Sequence, residues 1–294
     1  MPTFTILIPL LGPQEQFEQT LASVLRSQPA QTQIIVPFDG KYVDRYNLKA
    51  EGVEFVAIPN KRRLVDFWNA GLSRATGELL IVLRPGVEVN DAWSFQVARA
   101  FTDRNLGMLA PVVEVGQGRV FGIEVERTGT RRLVTSKPSK TTAPTSYAAV
   151  YRNEAIGWLP QIDSGIADVY LDAEIALGLH EVGFGSAIAT DWIVTCAGDS
   201  IVTEGRLAHG CSAARAQARH SNYLKAAGSA VVSDLISALS AGVWKINHAM
   251  ERFSAKRFRS VDDRARQLLG QNRKARAELE LKRLDSKNGI RRAA

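Results

Sequence analysis

The sequence predicts an α/β fold with a mainly parallel, doubly wound sheet, followed by a helical C-terminal extension. Apolar runs of strand length alternate with segments of helical periodicity from the first residues onward, and the links between them are short. Beyond Leu207 the pattern becomes purely helical. Parallel strands need crossover connections and are buried on both faces, so this alternation of apolar runs and helices specifies the type of sheet as well as its presence.

Residues 4–11 (Phe-Thr-Ile-Leu-Ile-Pro-Leu-Leu) form a first strand closed by Gly12-Pro13. Phe17, Leu21, Val24 and Leu25 then recur at helical spacing as far as Gln28-Pro29. A second strand, 33–38, ends at Asp39-Gly40, and a third, 53–58, ends before Pro59. A helix over 64–75 is stopped by Gly77, and a fourth strand, 79–83, runs into Arg84-Pro85-Gly86. A helix over 92–102 and strands at 109–115 and 120–125 follow, whereas 128–145, rich in Thr, Ser, Lys and Arg, reads as a loop. A strand at 147–151, a helix over 173–182 and a strand at 192–196 complete a second block. Val231, Val232, Leu235, Ile236, Leu239, Val243 and Ile246 then share one helical face, and a charge-laced helix carries Leu268, Leu269, Leu279, Leu281 and Leu284. The expected organisation is one domain over 1–206, with halves at 1–115 and 116–206, and a helical extension over 207–294 with a basic tail.

With 294 residues, 45% hydrophobic and 23% charged, the chain can bury a substantial core, which excludes collagen-like and disordered classes. The net charge of +7 would suggest a nucleic-acid partner if it were spread over the fold. Instead, residues 251–294 hold 14 basic against 6 acidic side chains, and the rest of the chain is close to neutral. Aromatics scarcely interleave with that tail beyond Phe253 and Phe258, so no nucleic-acid partner is expected. Cys196 and Cys211 are too few for a disulfide framework, and no Cys/His spacing matches a zinc site. No basic region precedes the first apolar run, and the apolar stretch at 230–244 is broken by Ser233, Asp234, Ser237 and Ser240. Neither an export signal nor a membrane span of ~20 residues is read here, and a cytoplasmic location is expected.

The common nucleotide and hydrolase motifs are missing. No Gly-rich loop ends in Lys-Ser/Thr, and Gly12-Pro13-Gln14 follows the first strand in place of a three-glycine fingerprint. Gly-x-Ser-x-Gly and His-Glu-x-x-His are also absent. What stands at a strand end is Asp39. Open α/β sheets bind ligands there, and a carboxylate can accept a hydrogen bond from a base or a ribose, although an Asp-Gly turn residue is the plain alternative.

Context supplies more. Ile8-Pro9, Ser23-Val-Leu-Arg-Ser-Gln28, Ile34-Ile-Val with Asp39-Gly40, Asn69-Ala-Gly71, Ala75-Thr-Gly77-Glu78 and Ile81-Val-Leu83 occur in one order. This series resembles the nucleotide-sugar half of the family 2 glycosyltransferases over residues 1–115, and more loosely through the second block. The resemblance implies the GT-A fold, a Rossmann-like nucleotide-diphospho-sugar transferase architecture with a mixed, mainly parallel sheet. It also implies a transferase that takes a nucleotide-sugar donor and a glycan, lipid-linked or other acceptor. Asp39 would contact the nucleobase, and Pro9 and Asn69, with Gly71, would belong to the nucleotide pocket; Asn69 also reads as an ordinary polar helix residue.

Family members end the fourth strand with Asp-x-Asp, whose carboxylates hold Mg or Mn against the donor diphosphate. Here Leu83 is followed by Arg84-Pro85-Gly86, and Glu88 is a lone, displaced carboxylate. The usual metal ligands are therefore missing, and Arg84 is a candidate to neutralise the diphosphate directly, the plain alternative being a solvated turn residue; Lys61, Arg62 and Arg63 would add to that field. In the second block Glu154, Asp163, Asp168, Asp172, Glu174, Glu181, Asp191 and Asp199 face only Arg152. By the same resemblance, with Gly183 as landmark, Asp172 takes the place of the base that deprotonates the acceptor hydroxyl in an inverting displacement. Glu174 and Asp168 are the runners-up, and an N-terminal helix acid is the structural alternative. Cys196 falls where some members carry a metal-binding His, with His209 as a nearby substitute. The expected function is a nucleotide-sugar-dependent, inverting, metal-independent glycosyltransferase. The alternative is a catalytically inactive GT-A-fold binding protein. The apolar helix at 230–250 and the following Lys256-Arg257-Phe258-Arg259 also suit peripheral contact with the inner face of an anionic membrane, against docking on the domain and a solvated tail.

Overall fold

The computed structural model describes residues 1–61, 63–125, 131–136, 138 and 143–197, and a C-terminal helix, Arg259–Arg292, with side chains described from 267 to 283. The first elements are β1 (Phe4–Leu7), α1 (Gln14–Ser27), β2 (Gln33–Phe38), β3 (Val53–Ala57), α2 (Leu64–Leu72) and β4 (Leu79–Leu83). They pair in the order β3-β2-β1-β4, all parallel. Every residue of β1 and β4 is buried, as a central strand covered by helices on both faces requires. Successive side chains of β1 serve opposite faces. Phe4, Ile6 and Ile8 join Phe17, Leu21 and Val24 of α1, while Leu7 joins Leu64, Val65 and Trp68 of α2. Gly71 lets α2 lie against β1, since a Cβ there would sit 2.2 Å from Leu7 Cδ1.

The second part comprises β5 (Val87–Glu88), α3 (Trp93–Ala100), β6 (Leu106–Val115), β7 (Gly118–Val120), β8 (Ile123–Val125), β9 (Arg131–Leu133), β10 (Ala148–Arg152), α4 (Asn153–Ile156), α5 (Leu171–Val182) and β11 (Gly185–Cys196). The sheet continues from β4 as β10-β6-β11-β5. β10 is antiparallel to both β4 and β6, and β11 is parallel to β6. Placing antiparallel β10 beside β4 matters for the site, because Tyr147, just before β10, then faces the end of β4; its carbonyl accepts the Arg84 N–H at 2.9 Å.

Several boundaries depart from the sequence reading. The expected strand at 120–125 breaks at Phe121-Gly122, where Gly122 has φ +125°. The expected loop at 128–145 contains β9, which pairs with β8 in a separate two-stranded sheet. β11 starts at Gly185, well before 192, with a register shift between Ala189 and Ile193 where Thr190 and Asp191 are exposed.

The C-terminal helix, α6 (Arg259–Arg292), docks on α5. Leu269 is buried, Asn272 Nδ2 donates to Trp158 O at 2.6 Å, and Arg276 Nη1 donates to Val182 O at 3.1 Å. The Arg276 guanidinium also covers the Phe184 ring at 3.6 Å. The apolar helix expected at 230–250, its basic sequel up to 258, His209 and Cys211 lie outside the described residues. Among the described residues, no helix is long and apolar enough to cross a membrane.

Candidate active site

The loops after β1, β2 and β3 leave the sheet at one edge, and a cavity of about 410 Å³ opens among them. Leu11, Gly12 and Gln14 form one side, Asp39, Lys41 and Tyr42 the other, and Lys61 and Phe67 border it. Asp39 is half-buried, and its Oδ1 accepts the Lys41 N–H at 3.0 Å. It therefore forms the Asp-Gly turn and lines the cavity at once. Tyr42 stacks on Phe55 with ring centroids 5.1 Å apart and meets Phe17 edge-on at 5.5 Å. Its hydroxyl is buried without a hydrogen-bond partner among the described residues. Burial pushes this phenol's pKa up, and the charges of Glu18 and Asp44 add to the effect. Gln14 opens α1, whose N-cap is Pro13 and which no side chain caps, so the positive end of the helix dipole borders the cavity.

Pro9 and Asn69 lie apart from the cavity lining. Pro9 is buried, and its carbonyl accepts the Leu11 N–H at 2.8 Å, which shapes the loop that does line it. Asn69 Nδ2 donates to Ile162 O at 2.8 Å, so this side chain ties α2 to the loop before α5.

Arg84 stands at the carboxyl end of β4, held by its backbone. Its N–H donates to Tyr147 O, its carbonyl accepts Thr20 Oγ1 at 3.3 Å, and the turn is completed by Gly86 at φ +89°. The guanidinium lies over the Tyr147 ring, 5.8 Å from its centroid, and makes no hydrogen bond or ion pair among the described residues. Burial lowers its pKa, an effect opposed by the nearby Tyr147, Asp168, Cys196 and Asp172. Arg84 and Cys196 act on each other electrostatically. Cys196 is a buried cysteine whose thiol pKa burial raises and Arg84 lowers, burial winning.

Asp172, in the first turn of α5, is 1% exposed. Its Oδ1 accepts Arg131 Nε at 2.8 Å and the Ala173 N–H at 2.8 Å; its Oδ2 accepts Arg131 Nη2 at 2.6 Å and the Ser146 N–H at 3.0 Å. Burial alone would lower the Arg131 pKa, but the charge of Asp172 and its hydrogen bonds outweigh that and hold it up. Asp168 is buried as well. Its Oδ2 accepts the Leu64 N–H at 2.8 Å, satisfying the start of α2 from across the chain, and Arg63 Nε lies 3.9 Å from its Oδ1. Arg63 also donates to the carbonyls of Ser164 and Ile166, so it clamps the loop before α5 instead of serving an open basic face. Glu174 is half-buried one turn along α5.

The described residues do not fit a divalent cation at this edge. No group of three or more His, Cys, Asp and Glu side chains that could hold a metal occurs among them, and Glu88 lies in β5 opposite Thr195. Arg131 and Tyr147 belong to the site by geometry and were not candidates from the sequence. Nothing in the local pattern links Arg131 to an acid 41 residues later.

No protein-family model and no curated protein match this chain in sequence. Solved structures do match it. GalNAc-T7 with UDP, GalNAc and Mn²⁺ superposes with a TM-score of 0.55 at 15% identity, covering 74% of this chain and 47% of that one. The mannosyltransferase PcManGT from Pyrobaculum calidifontis, in complex with GDP-Man and Mn²⁺, has a TM-score of 0.51 at 13% identity, over 93% and 86% of the two chains. S. aureus TarS 1–349 in complex with UDP-GlcNAc has a TM-score of 0.55 at 12% identity, over 88% and 92%. This chain thus spans less than half of GalNAc-T7 and most of the other two. Identities this low bear on architecture, and the architecture agrees with the sequence reading: the chain has the GT-A fold of these glycosyltransferases.

Proposed function

We propose that this chain is a nucleotide-sugar-dependent glycosyltransferase of the family 2 type, inverting, whose donor diphosphate is neutralised by Arg84 without a metal ion. The observation that carries this reading is the Arg84 guanidinium, half-buried at the carboxyl end of β4 and without a hydrogen bond or ion pair among the described residues. A partly desolvated cation without a protein partner gains from an anionic ligand, which supplies charge-assisted hydrogen bonds in place of water. The cavity at the same sheet edge, whose lining does not include Arg84, offers Asp39 for a base or ribose donor and the N-terminus of α1 for phosphate.

In the reaction, the acceptor hydroxyl oxygen attacks the anomeric carbon from the face opposite the diphosphate. The bond from that carbon to the phosphate oxygen breaks as the new one forms. Its electron pair leaves with the diphosphate, whose growing charge Arg84 stabilises, and the hydroxyl proton passes to Asp172. The acceptor is a hydroxyl of a glycan or of a lipid-linked carrier. Peripheral contact with an anionic inner membrane face, from the cytoplasmic side, belongs to the same reading. It is supported by Arg273, Lys274 and Lys282, which stay exposed on docked α6.

Calorimetry of the full chain with UDP, GDP and dTDP tests the donor site. One of them binds, and Asp39→Ala weakens it by about 1.5–3 kcal/mol. Turnover of the matching sugar donor survives EDTA and falls on the order of 10²–10³-fold in Arg84→Ala. Failure of all three nucleotides to bind sinks the reading, and loss of turnover in EDTA with recovery in Mn²⁺ sinks the metal-free part. A second reading, a GT-A-fold binding protein without transfer, is favoured by the complete engagement of Asp172. It becomes the better account if nucleotide binds and no donor turns over.

A further inference from the structure

The acceptor-side carboxylate is fully occupied. Asp172 has its four acceptor positions filled and no exposed side-chain surface, so as it stands it cannot reach an acceptor hydroxyl. The four donors are unequal. The N–H groups of Ser146 and Ala173 are main-chain and stay in place, whereas the other two donors belong to one side chain, Arg131. Arg131 opens β9, which is outside the main sheet.

Arg131 also has a second place to go. The Tyr147 ring lies under Arg84, and the same phenol acts electrostatically on Arg131. Asp172 in turn acts on both guanidinium groups. Consecutive residues join the two arginines: Ser146 N–H donates to Asp172, which pairs Arg131, and Tyr147 O accepts the Arg84 N–H while its ring lies under the Arg84 guanidinium, which has no counter-ion among the described residues. A diphosphate seated on Arg84 brings more negative charge than one guanidinium neutralises. Its oxygens also match the bidentate fork of arginine as well as a carboxylate does.

We propose that Arg131 is a second ligand of the donor diphosphate and that Asp172 and the diphosphate compete for it, so that donor binding frees the Asp172 carboxylate. This rests on the donor-site reading above and extends it to the order of events. Acceptor activation waits for the donor, which keeps the base silent in the empty protein. No covalent bond changes in the exchange. One guanidinium leaves two carboxylate oxygens for phosphate oxygens, and those carboxylate lone pairs become available to the acceptor O–H.

Competition makes a prediction that a purely structural ion pair does not. Asp172→Asn removes the competing charge while keeping the shape of the side chain. It tightens binding of UDP or GDP to the full-length chain by roughly tenfold, with no change for uridine or guanosine, which lack the phosphates. Arg131→Gln weakens the diphosphate and not the nucleoside, and in that background Asp172→Asn no longer tightens binding. In the wild type, the Nε–H resonance of Arg131 moves when the diphosphate is added, a readout that needs no variant to fold. Unchanged diphosphate affinity in folded Asp172→Asn overturns the inference, as does an unmoved Arg131 resonance at saturation. If the wild type binds no nucleoside diphosphate, the donor-site reading itself falls and the inference goes with it. Binding without competition removes the inference alone.

Discussion

Around the loops after β2 and β4, the Arg84 guanidinium and the Tyr42 hydroxyl have no hydrogen-bond partner among the described residues; at the start of α5, both oxygens of Asp172 are taken by Arg131, Ser146 and Ala173. Arg84 and Tyr42 are half-buried and Asp172 is buried, so the regions differ in solvent access as well as in pairing. A polar group removed from water without a partner lowers stability, and a protein tolerates it where a ligand will complete the set. The first region is thus arranged for binding. The second is arranged for stability, and has to be opened before it can do chemistry.

The most direct way to break this contrast is to compare the stability of variants in the two regions. Asp172→Ala leaves Arg131 as a buried cation with its partner gone, and Arg131→Ala leaves the carboxylate in the same state. Either change should cost about 3–5 kcal/mol in denaturant unfolding, while an Asp172→Leu/Arg131→Met double change costs much less. Arg84→Met, which removes a half-buried charge without an ion-pair partner among the described residues, should be neutral or mildly stabilising. Equal losses at Asp172 and Arg84 would mean that Arg84 has a counter-ion within the protein, and the contrast would vanish.

The two regions also differ in how far they were legible in the sequence. β2 and β4 were read with their observed bounds because uninterrupted apolar runs, QIIVPF and LLIVL, leave no other way to be buried. Asp39 and Arg84 follow those runs directly, so their position at the sheet edge came with the strands. Asp172 was readable as the acid at the start of α5, but its state was not. Its partner lies in a three-residue strand, Arg-Arg-Leu, within a stretch whose polar composition resembles a loop. Asn69 shows the same limit, since its partner is the backbone carbonyl of Ile162, and a main-chain acceptor leaves no trace in residue identities. The early half of β11 escaped notice because exposed Thr190 and Asp191 interrupt its alternation at the register shift.

A smaller effect is expected where α6 holds the far end of α5. Arg276 is buried, donates to Val182 O in the last turn of α5, and covers the Phe184 ring. A cation at that end complements the helix dipole as well as satisfying a carbonyl. Arg276→Met keeps much of the side-chain volume and loses the charge, which should cost about 1–2 kcal/mol. If the acceptor side is built for stability, this variant lowers the thermal midpoint and leaves nucleoside diphosphate affinity unchanged. A change in affinity with an unchanged midpoint would assign α6 to the binding region instead.

The smallest expected effect is the pH dependence contributed by His180, near the same end of α5. Burial lowers its pKa below the ordinary 6.5, and the hydrogen bond between Nδ1 and Phe184 O, at 3.0 Å, opposes that without overcoming it. The unfolded chain therefore takes up the proton first as the pH falls. Between the ordinary value and the lowered one, the unfolded state holds more protons than the folded state, so stability declines as pH drops through 6.5 and is flat with respect to this group above it. One edge of the ring remains exposed, which lets water screen the charge and keeps the effect small, with a shift of less than about 2 °C in the thermal midpoint. Titration of the His180 ring protons by NMR should give a midpoint below that of a free histidine. His180→Gln should remove this part of the acid sensitivity while leaving stability at neutral pH nearly unchanged. A midpoint at or above the ordinary value would show that the bond to Phe184 outweighs burial. The acid side of the stability profile would then have to come from elsewhere on the acceptor half, with Asp172 and Arg131 the first pair to examine.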